Sequence, residues 1–306
     1  MDNQPTPLHF RANGKILITS EYLVLHGAKA LALPLKYGQT LTVESNDSKE
    51  LEWIANLPDK NWFRVKFDSK LAIVEASNNY LAEATQKLIE AAVIIGKLNT
   101  FDFIGKRIIT QLDFQKDWGF GSSSTILSLI AQWLKIDPFK LLEITFGGSG
   151  YDIACATSFK PIIYQLENNK PTYSNTIFNP KYSDNIFFFY LGQKQKSYTE
   201  VIKYSKIKPN PEIIIKANQL TEHIINAPFT SLFQEYILQH EALIASYTNL
   251  PSINELIPIK DVVLKSLGAW GGDFAMAVSS NPQQAKIDLA KLGYNIQFSF
   301  NELALY

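Results

Sequence analysis

An α+β architecture in two subdomains follows from three features of the sequence. The 306 residues exceed what one hydrophobic core usually organises, so the chain is expected to divide. Up to Phe67 the residues fall into short apolar or alternating runs separated by turn residues, whereas the second half mixes strand-like runs with long helical periods and shows no tandem repeat. Hydrophobic residues make up 46% and charged residues 19%, the balance of a globular chain with apolar material for a core in each part.

In chain order, strands are expected at 9–12, 15–19, 22–25, 30–33, 39–44, 51–55 and 62–67. Gly14, Gly27, Gly38, Asn46 with Asp47, and Pro58 with Asp59 are read as the turns between them. Over 79–97 the period becomes helical, with Leu81, Ala84, Leu88, Ala91, Ala92 and Ile95 recurring on one face. A strand at 106–112 leads through the loop 119–124 into an apolar helix over 125–134, and Asp137-Pro138 has the form of a cap and first-turn proline opening a short helix. Beyond Phe159 come strands at 161–165 and 185–191 and helical patterns over 198–204, 211–225, 230–247 and 253–267. A strand at 274–278, a helix at 282–292 and a strand at 295–300 close the chain. The soft boundary falls at Phe159-Lys160, dividing the chain into 1–159 and 160–306.

The 29 basic and 29 acidic residues cancel, so no global field draws the chain to nucleic acid or to an anionic membrane, and a polyphosphate ligand requires a local site. A single cysteine, Cys155, excludes an internal disulfide and any zinc site built on several thiolates. That cysteine usage makes the cytoplasm the expected compartment, and residues 1–15, polar with Pro5 and Pro7, show no leader pattern. The most apolar stretches, 88–95 and 186–191, fall short of the roughly 20 residues a membrane helix needs. His9, His26, His223 and His240 show no metal-ligand spacing, and no Gly-x-Ser-x-Gly elbow is present. A small-molecule partner is expected, with neither nucleic acid nor membrane.

Gly119-Phe120-Gly121-Ser122-Ser123-Ser124 is the strongest chemical signal. Small residues before a helix let backbone N–H groups approach a phosphate at the helix's positive end, and the three hydroxyls add ligands for phosphate or Mg²⁺. A glycine turn with serine helix caps reads the same residues equally well. The loop lacks the Gly-Lys-Ser/Thr ending of a Walker motif, and Gly147-Gly148-Ser149-Gly150-Tyr151-Asp152 has Ile153 where a dinucleotide fingerprint needs glycine. Asp152 is either a carboxylate held near a polyphosphate, able to orient a hydroxyl, or a helix cap. Lys15 is either a cation beside a ligand or an edge-strand lysine, and Glu21 either belongs with it or sits in a solvated turn. Lys194 and Lys196 read as an anion contact or as solvated surface, and Gly268-Ala269-Trp270-Gly271-Gly272 as a backbone wall or a tight turn.

The order of these landmarks resembles the GHMP kinase superfamily, which includes mevalonate kinase. Gly14-Lys15-Ile16-Leu17-Ile18-Thr19-Ser20-Glu21-Tyr22 with His26-Gly27 resembles its N-terminal Gly-Lys-x-x-Leu-x-Gly-Glu-His segment and His-Gly turn. The 119–124 loop resembles its Gly-Leu-Gly-Ser-Ser-Ala loop, Ser149-Gly150-Tyr151-Asp152 its Ser-Gly-x-Asp turn, and 268–272 its C-terminal glycine motif. Gly150 to Ala156 is similar to the Gly-Tyr-Asp-Leu-Ile-Ala-type motif of a bacterial branch. The resemblance implies a sheet-and-helix N-terminal domain that binds ATP beside a ferredoxin-like C-terminal domain, and ATP-Mg²⁺-dependent phosphorylation of a small acidic metabolite of the mevalonate or phosphomevalonate kind. Diphosphomevalonate decarboxylase and a non-catalytic ligand-binding homologue share the pattern.

By the same resemblance Lys15 and Asp152 are the catalytic pair, and Gly119, Phe120, Gly121, Ser122, Ser123 and Ser124 hold the nucleotide phosphates. Ser123 is then a Mg²⁺ ligand with Glu143 as the nearby carboxylate, and Glu21, His26, Lys194, Lys196 and Gly271 face substrate. Family habit extends to a homodimer. Two positions and one segment depart from the pattern: Tyr22 replaces a histidine, Trp270 stands where glycine is common, and Gln115-Lys116-Asp117-Trp118 replaces a proline-bearing approach to the loop.

Overall fold

The computed structural model describes residues 6–192, 197–268, 270 and 272–306. They form two compact units. The first comprises the residues up to Gly14 with Tyr37–Lys116 and Phe120–Thr157, the second Lys15–Lys36, Asp117–Gly119 and Ser158–Tyr306. Two long paired strands, β1 (Leu8–Leu17) and β2 (Ala30–Ser45), contribute to both units.

The first unit adds β3 (Leu51–Asn56), β4 (Asn61–Phe67), β5 (Ile73–Ala76), α1 (Asn79–Gly96), β6 (Lys106–Leu112), α2 (Ser122–Leu134), α3 (Pro138–Ile144) and α4 (Tyr151–Ala156). Its strands run β5-β4-β3-β6-β2, with β3 parallel to β6 and the other pairs antiparallel. Alternation explains the core: Leu51, Trp53 and Ala55 of β3, Phe63, Val65 and Phe67 of β4, and Ile108 of β6 join Leu88, Ile89 and Ala92 of α1 and Leu127 and Ile130 of α2 in one buried cluster. Local chemistry places the helix starts: Asn78 accepts from the Leu81 N–H, and Asp137 accepts from the Phe139 and Lys140 N–H groups ahead of Pro138.

The second unit adds β7 (Ile162–Glu167), β8 (Lys170–Asn175), β9 (Ile186–Tyr190), α5 (Ser197–Ser205), α6 (Pro211–Asn226), α7 (Thr230–Thr248), α8 (Ile253–Leu256), β10 (Val263–Ser266), β11 (Phe274–Val278), α9 (Pro282–Lys291), β12 (Gln297–Ser299) and α10 (Phe300–Leu303). Here β2 pairs with β7 and β7 with β8, while an antiparallel sheet runs β10-β11-β9-β12. Phe187 and Phe189 of β9 pack with Ala275 and Ala277 of β11 and with Leu289 of α9. Among the described residues no helix is long and apolar enough to cross a membrane.

Several sequence expectations are corrected. Gly14 and Gly38 lie inside β1 and β2 rather than at turns. A methyl group at Gly38 would sit 2.3 Å from the Ala12 carbonyl oxygen, so glycine is needed there for close backbone approach and not for a bend. The expected strand at 22–25 is a 3₁₀ turn, Leu23–His26, because Ser20 and Tyr22 take left-handed φ values of 64° and 60°. Of the helix expected over 253–267, only α8 forms. Pro258 bars its continuation, and the chain turns into β10, where the Asn254 side chain bonds both the N–H and the carbonyl of Leu264 at 2.8 Å. Strands β5 and β8 had no clear apolar signature, and β8 is largely exposed.

Candidate active site

Lys15 lies near the end of β1, half-buried between buried Gly14 and Ile16, and its Nζ donates to the Gly119 carbonyl at 2.8 Å. The ammonium thus meets the first residue of the glycine-rich loop. Gly119 and Gly121 take left-handed φ values of 67° and 93°. At Gly119 a methyl group would fall 2.0 Å from Asp273 Oδ2, so a side chain cannot be accommodated there without displacing Asp273.

Helix α2 begins at Ser122 with Gly121 as its cap residue, and no side chain caps it. The Ser124 hydroxyl turns back to the Gly121 carbonyl at 2.9 Å, the Thr125 hydroxyl reaches Gln39 Oε1 at 2.7 Å, and Ser123 is exposed. The serine-cap reading of this loop is therefore not realised. What results is the uncapped positive end of a helix of 13 residues with an exposed hydroxyl beside it, an arrangement suited to an anion.

Helix α4 opens in the same way, with Gly150 at φ 86° and no side-chain cap. Asp152 is half-buried inside the first turn rather than at the cap, and its Oδ1 accepts from the Ile153 N–H at 3.0 Å. Within this unit α4 packs on α2, so the helix of Asp152 and the serine-bearing helix share one layer.

Glu21 is placed differently from its expected substrate-facing role: it has no exposed surface. Its Oε1 accepts from Lys265 Nζ, which also lies 3.2 Å from Glu241 Oε2. His240 Nε2 accepts the Ser20 N–H at 2.9 Å, which places the imidazole proton on Nδ1, 3.8 Å from Glu21 Oε2. Burial raises the Glu21 carboxyl to about 7 against the pull of Lys265. Burial, reinforced by the Lys265 charge, holds His240 well below its ordinary range. Burial alone would lower Lys265, but Glu21 and Glu241 outweigh it and hold the ammonium above its usual value. The cluster pins the strained Ser20–Tyr22 turn from inside the unit.

The remaining expected site residues separate by environment. His26 donates from Nε2 to the Tyr204 carbonyl at 2.9 Å, which ties the 3₁₀ turn to α5. Phe120 is buried, with its ring centroid 5.5 Å from Phe114, so only its backbone is available to a ligand. Glu143 is exposed on α3. Lys194, Lys196 and Gly271 lie outside the described residues. Sequence reasoning passed over Asp273 and Lys265, and marked Trp118 only as part of the departure before the loop. The signal for Lys265 was a lone lysine within Val263-Leu264-Lys265-Ser266-Leu267, obscured by reading that stretch as helix.

No protein-family model matches the chain, and no curated protein matches it by sequence. Solved structures are similar in fold. Phosphomevalonate kinase of Streptococcus pneumoniae, solved with phosphomevalonate and AMPPNP, covers 95% of this chain and 99% of its own at a TM-score of 0.70 and 16% identity. Methanococcus jannaschii mevalonate kinase covers 100% of both chains with a TM-score of 0.67 and 14% identity. Lactococcus lactis galactokinase, solved with galactose, covers 99% of this chain and 94% of its own with a TM-score of 0.67 and 12% identity. This chain has the GHMP kinase fold.

On the GHMP kinase fold, the departures at Tyr22 and Trp270 turn out to be one contact. The Trp270 backbone N–H donates to the Tyr22 hydroxyl at 2.8 Å, both residues are buried, and the Tyr22 ring lies 4.2 Å from that of Tyr204. The Trp270 indole N–H donates to the Pro251 carbonyl at 3.1 Å. Two bulky residues thus join one buried cluster, with the Tyr22 hydroxyl taking the Trp270 amide and the Pro251 carbonyl taking the indole N–H that a buried Trp must place.

Proposed function

We propose that this chain transfers the γ-phosphoryl group of ATP to a small acidic alcohol or phosphate monoester of the mevalonate or phosphomevalonate kind. The carrying observation is the loop 119–124, which runs from a glycine held by Lys15 into an uncapped helix end with Ser123 exposed. Backbone N–H groups of this loop hold the phosphates, and Lys15 stabilises charge that develops on the transferred group and on the attacking oxygen. Asp152 accepts the proton of the substrate hydroxyl and orients it. Nucleotide binding is assigned to 1–159, and Lys194 and Lys196 are the candidate cations for the acidic group of the substrate.

Mg²⁺ fits the donors present. Ser123 offers an exposed hydroxyl, and the ion characteristically takes few protein oxygens together with phosphates and water. Among the described residues no group of three His, Cys, Asp or Glu side chains is placed to hold a metal ion. When bound, the ion neutralises phosphate charge.

A panel of small alcohols and phosphorylated acids, incubated with ATP-Mg²⁺ and scored for ADP and product mass, tests the reading. One acceptor is expected to gain a phosphoryl group, and Lys15→Ala and Asp152→Ala are each expected to lower turnover at least ~100-fold. Release of CO₂ with ADP would replace the kinase by a decarboxylase, and undiminished turnover in the Asp152 variant would remove that residue from its role.

A further inference from the structure

We infer that Trp118 and Asp273 are positioning residues for the glycine-rich loop, clamping its leading edge so that the amides that follow are set for the nucleotide phosphates. The inference rests on the kinase reading above and concerns the approach segment where this chain lacks the usual proline.

The indole of Trp118 meets Phe298 edge-on at 5.3 Å and Phe274 at 6.0 Å, and those two rings lie 5.9 Å apart, so the indole seats on the first residue of β11 and the middle of β12. Tyr190 at the end of β9 packs on Phe274 at 5.3 Å, and its hydroxyl donates to the Asp117 carbonyl at 3.3 Å. Three strands of the small sheet therefore grip Asp117-Trp118 directly before the loop.

Asp273 completes the grip. Its backbone is left-handed, with φ 50°, and its carbonyl accepts the Leu191 N–H at 2.7 Å, which fixes it to the end of β9. Its carboxylate occupies the space a side chain at 119 would need: a Gly119 methyl would meet Oδ2 at 2.0 Å, Cγ at 2.4 Å and Cβ at 2.7 Å. On the carbonyl side of the same residue sits the Lys15 ammonium. Gly119 is thus held by Trp118 before it, Asp273 over its α-carbon and Lys15 on its carbonyl. An approach segment without proline loses the rigidity of that ring, and the clamp supplies the rigidity by packing.

Steady-state kinetics in ATP and in the acceptor, with hydrogen exchange of the free protein, test this. Trp118→Ala is expected to raise KM for ATP roughly tenfold with KM for the acceptor unchanged, and to quicken exchange of the amides of 119–124 without nucleotide, while Trp118→Phe restores both. Gly119→Ala is expected to raise KM for ATP, and Asp273→Gly in that background to recover part of the loss, because it removes the colliding atoms at a position whose φ favours glycine. Equal loss in both KM values, unchanged loop exchange in Trp118→Ala, or no recovery by Asp273→Gly would overturn the clamp. Because exchange is read without nucleotide, the clamp can fail while ATP turnover stands, and the kinase reading can fail while the loop still loosens.

Discussion

Glu21 and His240 face each other across 3.8 Å with no surface exposed, and their proton equilibria oppose one another. The folded state holds a proton on Glu21 between its ordinary 4.5 and about 7, where the unfolded chain does not, so this group stabilises the fold fully below 4.5 and loses that contribution as pH rises to about 7. The unfolded chain protonates His240 below 6.5 and the folded one does not, so that group costs stability as pH falls through 6.5. Below 6.5 the two slopes therefore oppose one another. Glu21→Gln should expose the histidine slope, and His240→Asn the opposite one, each about 1.4 kcal/mol per pH unit relative to the parent. Urea unfolding at a series of pH values checks the sign, and parallel profiles for parent and Glu21→Gln would show that the cluster does not titrate in this way. Glu21 stands out in the sequence as an acidic residue in an apolar segment, but its partners Lys265, Glu241 and His240 come from distant positions. Local reading could suggest only solvent or a ligand as its company.

At the scale of elements, periodicity carried α1, α6, α7 and most strands, and Asp137-Pro138 placed the start of α3. What escaped was decided by backbone shape or distant contact. The 3₁₀ turn after Ser20 needs left-handed φ at two non-glycine residues, which no propensity signals. Gly38 looks like a turn until β1 is laid against it. Gly38→Ala should therefore destabilise the first unit by about 1–3 kcal/mol through collision with the Ala12 carbonyl, seen as a lower thermal midpoint, although alanine suits an open strand better than glycine. A midpoint equal to or above the parent's would mean that β1 and β2 do not approach so closely. The serine loop was legible as a motif, but whether a serine side chain caps α2 was not, because that depends on where the Ser124 and Thr125 hydroxyls point.

For the whole molecule, the order of motifs predicted the GHMP kinase fold although no curated relative matches by sequence, and identities to the similar structures run only from 12% to 17%. Glycines such as Gly119, Gly121 and Gly150, whose positive φ values few other residues adopt, carried much of that signal, whereas an apolar core tolerates many sequences. The acceptor was not legible to the same degree, because it depends on which side chains line a pocket rather than on the bends that shape the loop. The central claim is that residues 119–124 receive the triphosphate. Hydrogen exchange of the free protein against the protein with AMPPNP and Mg²⁺ measures it most directly: the account predicts slowed exchange at the amides of 119–124 and at the start of α2, with α6 and α7 unchanged. Binding of AMPPNP with no protection of that loop would contradict it.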